Sequence, residues 1–437
     1  MTNHEKKIHR IAEKLRNRKS KKPVSLKKKV VSHKVPNPND IRYGDQKIDV
    51  SDLNEILEID VEKMICVAEP GVTFTDLVKA TMKHKLAPML VPELKTITIG
   101  GAVSGCSVES TSYRLGGFHD NCLEYEVITA KGDIITCSPN GASSDIFHMM
   151  HGSFGTLGVL SKLTFRLMPA KPFVQMTYET FGTLQEYKNA IWQHYEDRDV
   201  DFMDGIIHAA DKHVLCLGSF TDRAPYASSY EWMKIYYKST LSRKTDYMKT
   251  ADYYFRYDTD AHWMAGTYGM EIPLLRFLFG RQVLTSTKML ETARNLRFFM
   301  KKSKPDVVID VFVPFCNLDR FFEIYMQEFK YFPIWIVPFK IKDMYPWVNP
   351  ELVKDNENDL YIDVAIYGMK QGNKNYYKRI EEILLEVNGT KTLISYNYYD
   401  EETFWKSWSK ENYTKVKQQV DPDNIFRDLY SKTNYSK

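Results

Sequence analysis

"TITIGGAVSGCSVESTSYRLG", Thr96 to Gly116, is the stretch on which the reading of this protein turns. Gly100, Gly101, Gly105 and Gly116 stand among Ser and Thr directly after a β-branched run. Successive main-chain N–H groups in such a turn form an anion nest, and a helix starting there adds its positive end. A dinucleotide-binding Rossmann turn needs G-x-G-x-x-G, whereas the spacing here is G-G-x-x-x-G. The Walker pattern fails too, since no Gly-Lys-Ser/Thr follows. No Lys or Arg lies between Thr96 and Arg114, so a phosphate held here has main-chain donors to neutralise it. By itself the Gly-Gly pair reads first as a structural turn.

Charge outside this stretch is unevenly spread. The 437 residues carry a net +4, but residues 1–34 hold 13 Lys or Arg against Glu5 and Glu13, leaving the remainder mildly acidic. That balance argues against a nucleic-acid-binding body. Six cysteines without a CxxC pair exclude a metal or disulfide framework and point to a reducing compartment. No 18-residue apolar run exists, so no transmembrane segment is expected. With 28 Tyr and 23 Phe, the protein has either a large aromatic core or a wide apolar pocket.

Periodicity divides the sequence. Residues 4–19 set Ile8, Ile11 and Leu15 on one helical stripe among cations, either a solvated helix or one lying on anionic lipid. Residues 1–34 thus read as a basic amphipathic arm. Strands and helices then alternate: a strand over 63–71, a helix over 73–85 capped by Thr73, a hairpin over 121–139 turning at Lys131-Gly132, and a short helix over 143–152. Composition shifts after Met168-Pro169. Residues 171–395 mix amphipathic helices with strands, an antiparallel sheet flanked by helices, and residues 399–426 read as one helix closed by Asp-Pro-Asp-Asn.

Around the glycines, Glu-Pro-Gly-Val (69–72), Gly116-Gly117 before His119-Asp120-Asn121, the hairpin and Gly-Thr-Leu-Gly-Val (155–159) come in one order. In this arrangement the sequence resembles the PCMH-type FAD-binding domain of the vanillyl-alcohol-oxidase superfamily. Within that superfamily it is similar to the Δ24-sterol reductase (seladin/diminuto) group, also in "RFLFG" (276–280), "FPIWIVPF" (332–339), "LYIDVAIYG" (360–368) and "EETFW" (401–405). The resemblance implies an α+β fold: an FAD-binding domain over 35–170, a substrate or cap domain over 171–395, and a C-terminal segment, 396–437, returning to the FAD domain. It also implies that Thr98, Ile99, Gly100, Gly101, Ser104, Gly105, Glu109 and Ser110 line the FAD pyrophosphate and ribityl region, with Gly155, Leu157, Gly158 and Val159 passing near the adenine or flavin side.

Covalent flavin attachment in the superfamily uses a His in an Arg-Ser-Gly-Gly-His-like loop or a Cys just before the glycines. Leu94 occupies that Cys position, Cys106 reads as a packed thiol and His33 as a loop histidine, so FAD is expected to be non-covalent. The implied activity is reduction of a C=C bond in the side chain of a sterol, with hydride from NADPH by way of FAD. The alternatives are a flavin oxidase or dehydrogenase of small alcohols or hydroxyacids, and a catalytically idle flavin-binding protein.

An isolated alkene accepts hydride poorly, so a general acid and a dry apolar pocket are required. Tyr398 is the residue assigned that role, with Tyr396 and Asp400 as neighbours; His119 reads as a hairpin cap or a residue reaching the flavin ring. Glu126 reads as a structural pairing residue. Phe332, Trp335, Phe339, Tyr361 and Tyr367 read as the floor of a sterol slot or as sheet core. The expected partner is a sterol-like apolar molecule, with peripheral membrane contact through the basic arm. No metal or nucleic acid is expected, and the expected location is the cytoplasmic side, soluble or peripherally membrane-associated.

Overall fold

The computed structural model describes residues 1–437 except 31, 38, 296–305, 343–344, 354–357 and 435–437. Two antiparallel sheets dominate. The first joins β3 (Ile56–Asp60), β4 (Ile65–Ala68), β5 (Leu86–Pro88), β6 (Cys122–Ile128), β7 (Ile134–Cys137) and β8 (Val159–Pro169), with β8 central. A short parallel pair, β1 (Val24–Lys27) with β2 (Gln46–Asp49), lies before it.

The second sheet holds β9 (Phe173–Phe181), β10 (Phe202–Ala209), β11 (Lys212–Thr221), β12 (Thr245–Lys249), β13 (Val307–Pro314), β14 (Ile334–Lys340), β15 (Leu360–Met369) and β16 (Thr390–Lys391). They run in the order β12-β9-β11-β10-β14-β15-β13-β16. The α+β reading of the sequence is met.

The two faces of this second sheet differ because strand side chains alternate. On β15, Leu360, Ile362, Val364 and Ile366 enter one core, against the helices Leu184–Asp197, Leu318–Glu328 and Tyr376–Glu386. Ala365 of β15 and Trp335 and Val337 of β14 join the other core, which also holds the interior of the first sheet. Asp310, Asp363 and Tyr367 share the pleat of this second face, the one turned toward the glycine segment.

Residues 399–426 form two helices, Glu401–Ser407 and Lys410–Val420, rather than one. Ser409 starts the second by accepting from the Asn412 N–H, since a hydroxyl there competes with continued helix. Lys417 then reaches the carbonyls of Thr156 and Phe426 at 2.8 Å and Asp421 at 2.6 Å, fastening these helices to the first sheet.

The N-terminal helix, Asn3–Arg16, is no free arm. A Thr2–Glu5 capping box starts it. Its apolar stripe, Ile8, Ile11, Ala12 and Leu15, is buried with Val24, Ile48, Val159 and Phe426. The stripe read from the sequence as solvated or lying on lipid is therefore used inside the molecule. Its polar end is buried as well: His4 bridges Glu69 at 2.8 Å and Glu126 at 2.9 Å, and Lys7 reaches Glu69 at 2.9 Å. Glu126 thus has the pairing role its position suggested.

Removing one partner of such a buried set leaves charge stranded. Glu69→Ala is expected to cost about 3 kcal/mol, read as a lowered midpoint of urea unfolding. An unchanged midpoint would show that the helix does not depend on this contact.

Candidate functional site

The glycine segment begins as a seven-residue helix, Ile99–Gly105, with Thr98 as N-cap. Its leading N–H groups are already engaged. Ile99 donates to the Val72 carbonyl, Gly100 to that of Pro70, Gly101 to the Thr98 hydroxyl and Ala102 to the Thr98 carbonyl. A Cβ on Gly100 would meet Pro70 Cβ at 2.5 Å, so this glycine lets the Glu-Pro-Gly-Val loop close onto the helix. These amides, expected to face a phosphate, have the loop as their partners in this structure. Ser104 donates its hydroxyl back to Gly100 at 2.7 Å, and Gly105 has open space beside it.

Positive charge comes instead from distant parts of the sequence. Lys432 Nζ donates to the Gly155 carbonyl at 3.2 Å, and Lys34 Nζ reaches the Lys432 carbonyl at 3.5 Å. Lys28 is exposed and near enough to act on Lys432. Burial and the Arg42 guanidinium lower all three. Lys432 is driven well below an ordinary lysine by burial and by Arg42, Lys34 and Lys28. Lys34 is lowered to about 7, by burial and then by Arg42 and Lys391 against a smaller pull from Asp40. Of the neighbouring carboxylates, Asp40 is paired with Arg42 and Asp45 with Arg427.

A pyrophosphate is the kind of anion that relieves this repulsion, so the donor set fits the diphosphate of FAD. Gly155 (φ +68°) lies beside Lys432 Nζ and Leu26 Cδ1, at 3.7 and 4.0 Å from a would-be Cβ. Phe154 N–H bonds to the Ser104 carbonyl, which ties this loop to the glycine segment. Gly101, Ser104, Gly105 and Gly155 therefore lie along one partly exposed lining with Lys34 and Lys432.

The other residues expected at the cofactor have surroundings of their own. Leu157 and Val159 are buried in two cores, and a Cβ on Gly158 would meet the Ile128 carbonyl at 2.9 Å, so these three residues shape a strand start. Glu109 and Ser110 are buried against the second sheet. Arg256 Nη2 lies 2.9 Å from Glu109 Oε1 and 3.1 Å from Asp204 Oδ2. Tyr257 and Trp335 both donate to that Asp204 oxygen at 2.8 Å. The Ser110 hydroxyl meets Tyr253 at 2.9 Å. Burial raises Glu109 to about 7, with Arg256 as the main opposing influence.

A second polar group occupies the same face of the second sheet. Asp310 accepts a short hydrogen bond from the Tyr367 hydroxyl, and burial lifts its pKa to about 6. Asp363, 3% exposed, has no hydrogen-bond partner for Oδ1 among the described residues. Burial, with Asp310 and Glu93 nearby, raises it well above an ordinary aspartate. His262 Nε2 lies 3.3 Å from Glu93 Oε1, and its ring contacts Tyr257, Trp335 and Tyr367 at centroid distances of 4.5, 4.7 and 4.9 Å. Glu93 stands three residues before Thr96, which joins this group to the glycine segment.

Of the aromatic residues read as a sterol floor, Trp335 and Tyr367 line this group. Phe339 and Tyr361 form a small cluster with Val108 and Tyr345, and Phe332 packs on the opposite face beside Tyr325. Tyr398, the assigned acid, donates its N–H to Glu381 and stands beside Tyr377 and Tyr396 in that opposite core. Asp400 caps a helix at the surface. His119 is buried against His151, Tyr345 and Trp347. His33 hydrogen-bonds Thr96 Oγ1 at 2.9 Å, and burial of the Cys106 thiol pushes its pKa well up, so it is no ready nucleophile.

Sequence spacing could not find the acid group, because its members come from residues 93, 262, 310, 363 and 367. The one local signal was an Asp in an otherwise apolar strand, in "VVIDVFVP" and "LYIDVAIYG".

Residues 31–138 match the family model of the FAD binding domain. Across 87% of its length, this sequence is 27% identical to the Delta(24)-sterol reductase of Homo sapiens, over 76% of that protein. The Delta(24)-sterol reductase of Arabidopsis thaliana is 24% identical over 89% of this sequence and 76% of its own length. A 143-residue stretch, 32% of the whole, is 29% identical to cytokinin dehydrogenase 9 of Oryza sativa subsp. japonica, over 27% of that protein. The resemblance read from the sequence, to PCMH-type FAD-binding domains and to the Δ24-sterol reductases, stands.

The depressed Lys34 gives a pH test. Its ordinary value is 10.5 and its folded value about 7, so between these the unfolded state binds more protons and the flavin-free protein gains stability as pH rises. FAD favours protonated Lys34, so its binding takes up a proton and weakens over the same interval. Calorimetry is expected to show that uptake, with affinity falling about tenfold or more between pH 7 and pH 9. Affinity flat across this range would place the diphosphate elsewhere.

Proposed function

We propose that this protein is an FAD-dependent reductase that saturates an isolated C=C in the side chain of a sterol, with NADPH as the electron donor and FAD held without a covalent bond. The observation that carries the reading is the buried Asp310–Asp363 pair on an aromatic-walled sheet face, connected through Glu93 to the loop that enters the glycine segment. When bound and reduced, FAD supplies a hydride.

The rest falls to the protein's own residues. Lys28, Lys34 and Lys432 hold the diphosphate, and Gly101, Ser104, Gly105 and Gly155 give the cofactor room to approach the backbone. Trp335, Tyr257, His262 and Tyr367 exclude water from the second face. Asp363 is the proton donor, since burial and then the neighbouring Asp310 and Glu93 disfavour its anion and push its pKa well up. An alkene needs that proton in concert with the hydride, since neither carbon carries a polarising group. Tyr367 fixes Asp310 by its hydrogen bond and leaves Asp363 as the carboxyl with an unengaged oxygen. The similarity to sterol reductases over most of the sequence supports the sterol as the alkene-bearing substrate, and the flat aromatic walls suit it.

Asp363→Asn keeps the shape and removes the transferable proton. Bleaching of the flavin by NADPH is expected within about twofold of the native rate, while reoxidation by a Δ24-unsaturated sterol slows about 10²- to 10⁴-fold. Native protein that is bleached by a hydroxyacid but not by NADPH would overturn the reading.

A further inference from the structure

Helix Pro273–Val283 carries its amphipathic pattern inside out. Its inward positions are Arg276, 1% exposed, and Gly280. Its outward side, with the residue before it, presents Ile272, Leu274, Phe277, Leu278, Phe279 and Val283, each between 39% and 65% exposed. Single exposed apolar residues are ordinary, but a contiguous set of this size marks an interaction surface. The surface extends to Trp232, whose ring meets Phe277 at 5.5 Å, and to exposed Met233.

The orientation is fixed from within. Arg276 Nη2 lies 3.0 Å from Asp260 Oδ2, and the same guanidinium donates to the carbonyls of Trp232 and Met270. Rolling the helix to hide its apolar side would strip a buried guanidinium of its carboxylate, a costly exchange.

The charges around the patch select its partner. Arg281 lies 4.1 Å over the Trp232 ring, Lys234 is exposed beside it, and Lys288 Nζ donates to the Arg281 carbonyl. Nearby carboxylates are engaged: Glu271 by Tyr237 and Lys238, and Glu231 by Lys95. Glu291, on the following helix, is exposed and adds a single negative charge against these cations. Leu and Phe on one side, an aromatic flank and a cationic rim are the chemistry of a helix lying in a lipid interface. Self-association through this face would bring like charges together.

We propose that helix Pro273–Val283 docks this protein on an anionic lipid surface. The stretch from 250 to 286 that ends in this helix also contributes Arg256 and His262 to the candidate site. Docking therefore holds a stretch that contributes to that site near the bilayer, where an apolar substrate resides. This last consequence rests on the sterol reading, whereas the docking does not.

Flotation of the full-length protein with phosphatidylcholine vesicles, with and without phosphatidylserine, is the test. Binding is expected on the phosphatidylserine vesicles and to be lost in Leu274→Ser/Phe277→Ser/Leu278→Ser. These residues are exposed, so the variant's thermal unfolding is expected to match the native protein. Arg281→Gln and Lys288→Gln are each expected to weaken binding about fivefold while leaving the apolar side intact. Equal flotation of native and triple variant, equal binding to both vesicle types, or a dimer that the triple variant dissociates without any vesicle binding would each overturn the proposal. Turnover of a sterol offered in detergent reads the proposed function separately, so either can fail alone.

Discussion

Arg256 is buried between Glu109 and Asp204, and the relation between the two sheets depends on that guanidinium. Glu109 closes the glycine segment, while Asp204 lies on β10 and also accepts from Tyr257 and Trp335. A charge in this setting is tolerable only if every partner stays in place, since desolvation is repaid by close pairing and hydrogen bonds together. The contact thereby fixes how the glycine segment faces the second sheet. It also gives Glu109 and Ser110 a place in the joint between the two halves.

Two groups of like charge lie on either side of that joint, and each is stable only with what it is built to handle. Lys432, beside Gly155, feels Arg42, Lys34 and Lys28, so folding concentrates positive charge there. Asp310 and Asp363 crowd together on the aromatic face with Glu93 nearby, so folding raises the pKa of both aspartates. Both effects are set by low dielectric and proximity, which act across the fold and not along the sequence.

The N-terminal helix and helix Pro273–Val283 show how amphipathicity misleads when it is read without the body around it. Ile8, Ile11 and Leu15 have the spacing of a lipid-facing stripe, yet the first sheet covers them. The helix at 273–283 has no clean stripe, because its buried position is an arginine and its apolar residues spread over the outer side. Periodicity states that one side differs from the other. Which side meets water depends on where the paired Asp260 lies.

Much of the architecture was legible in the sequence. The hairpin at Lys131-Gly132, the capped helix at Thr73, the antiparallel sheet of the second half and the order of motifs around Thr96–Gly116 are local patterns, and local propensity and alternation record them directly. Such patterns establish the class of fold and the presence of an FAD-binding domain. What surrounds each group was decided only when the sequence folded: the amides of Ile99–Gly101 are engaged by Pro70, Val72 and Thr98, Lys432 reaches Gly155 from 277 residues away, and Asp310 and Asp363 meet on one sheet face while Tyr398 lies in the opposite core. Hydrogen-bond satisfaction and electrostatics are properties of what is near in space, and a linear pattern holds no account of which donors have already been used.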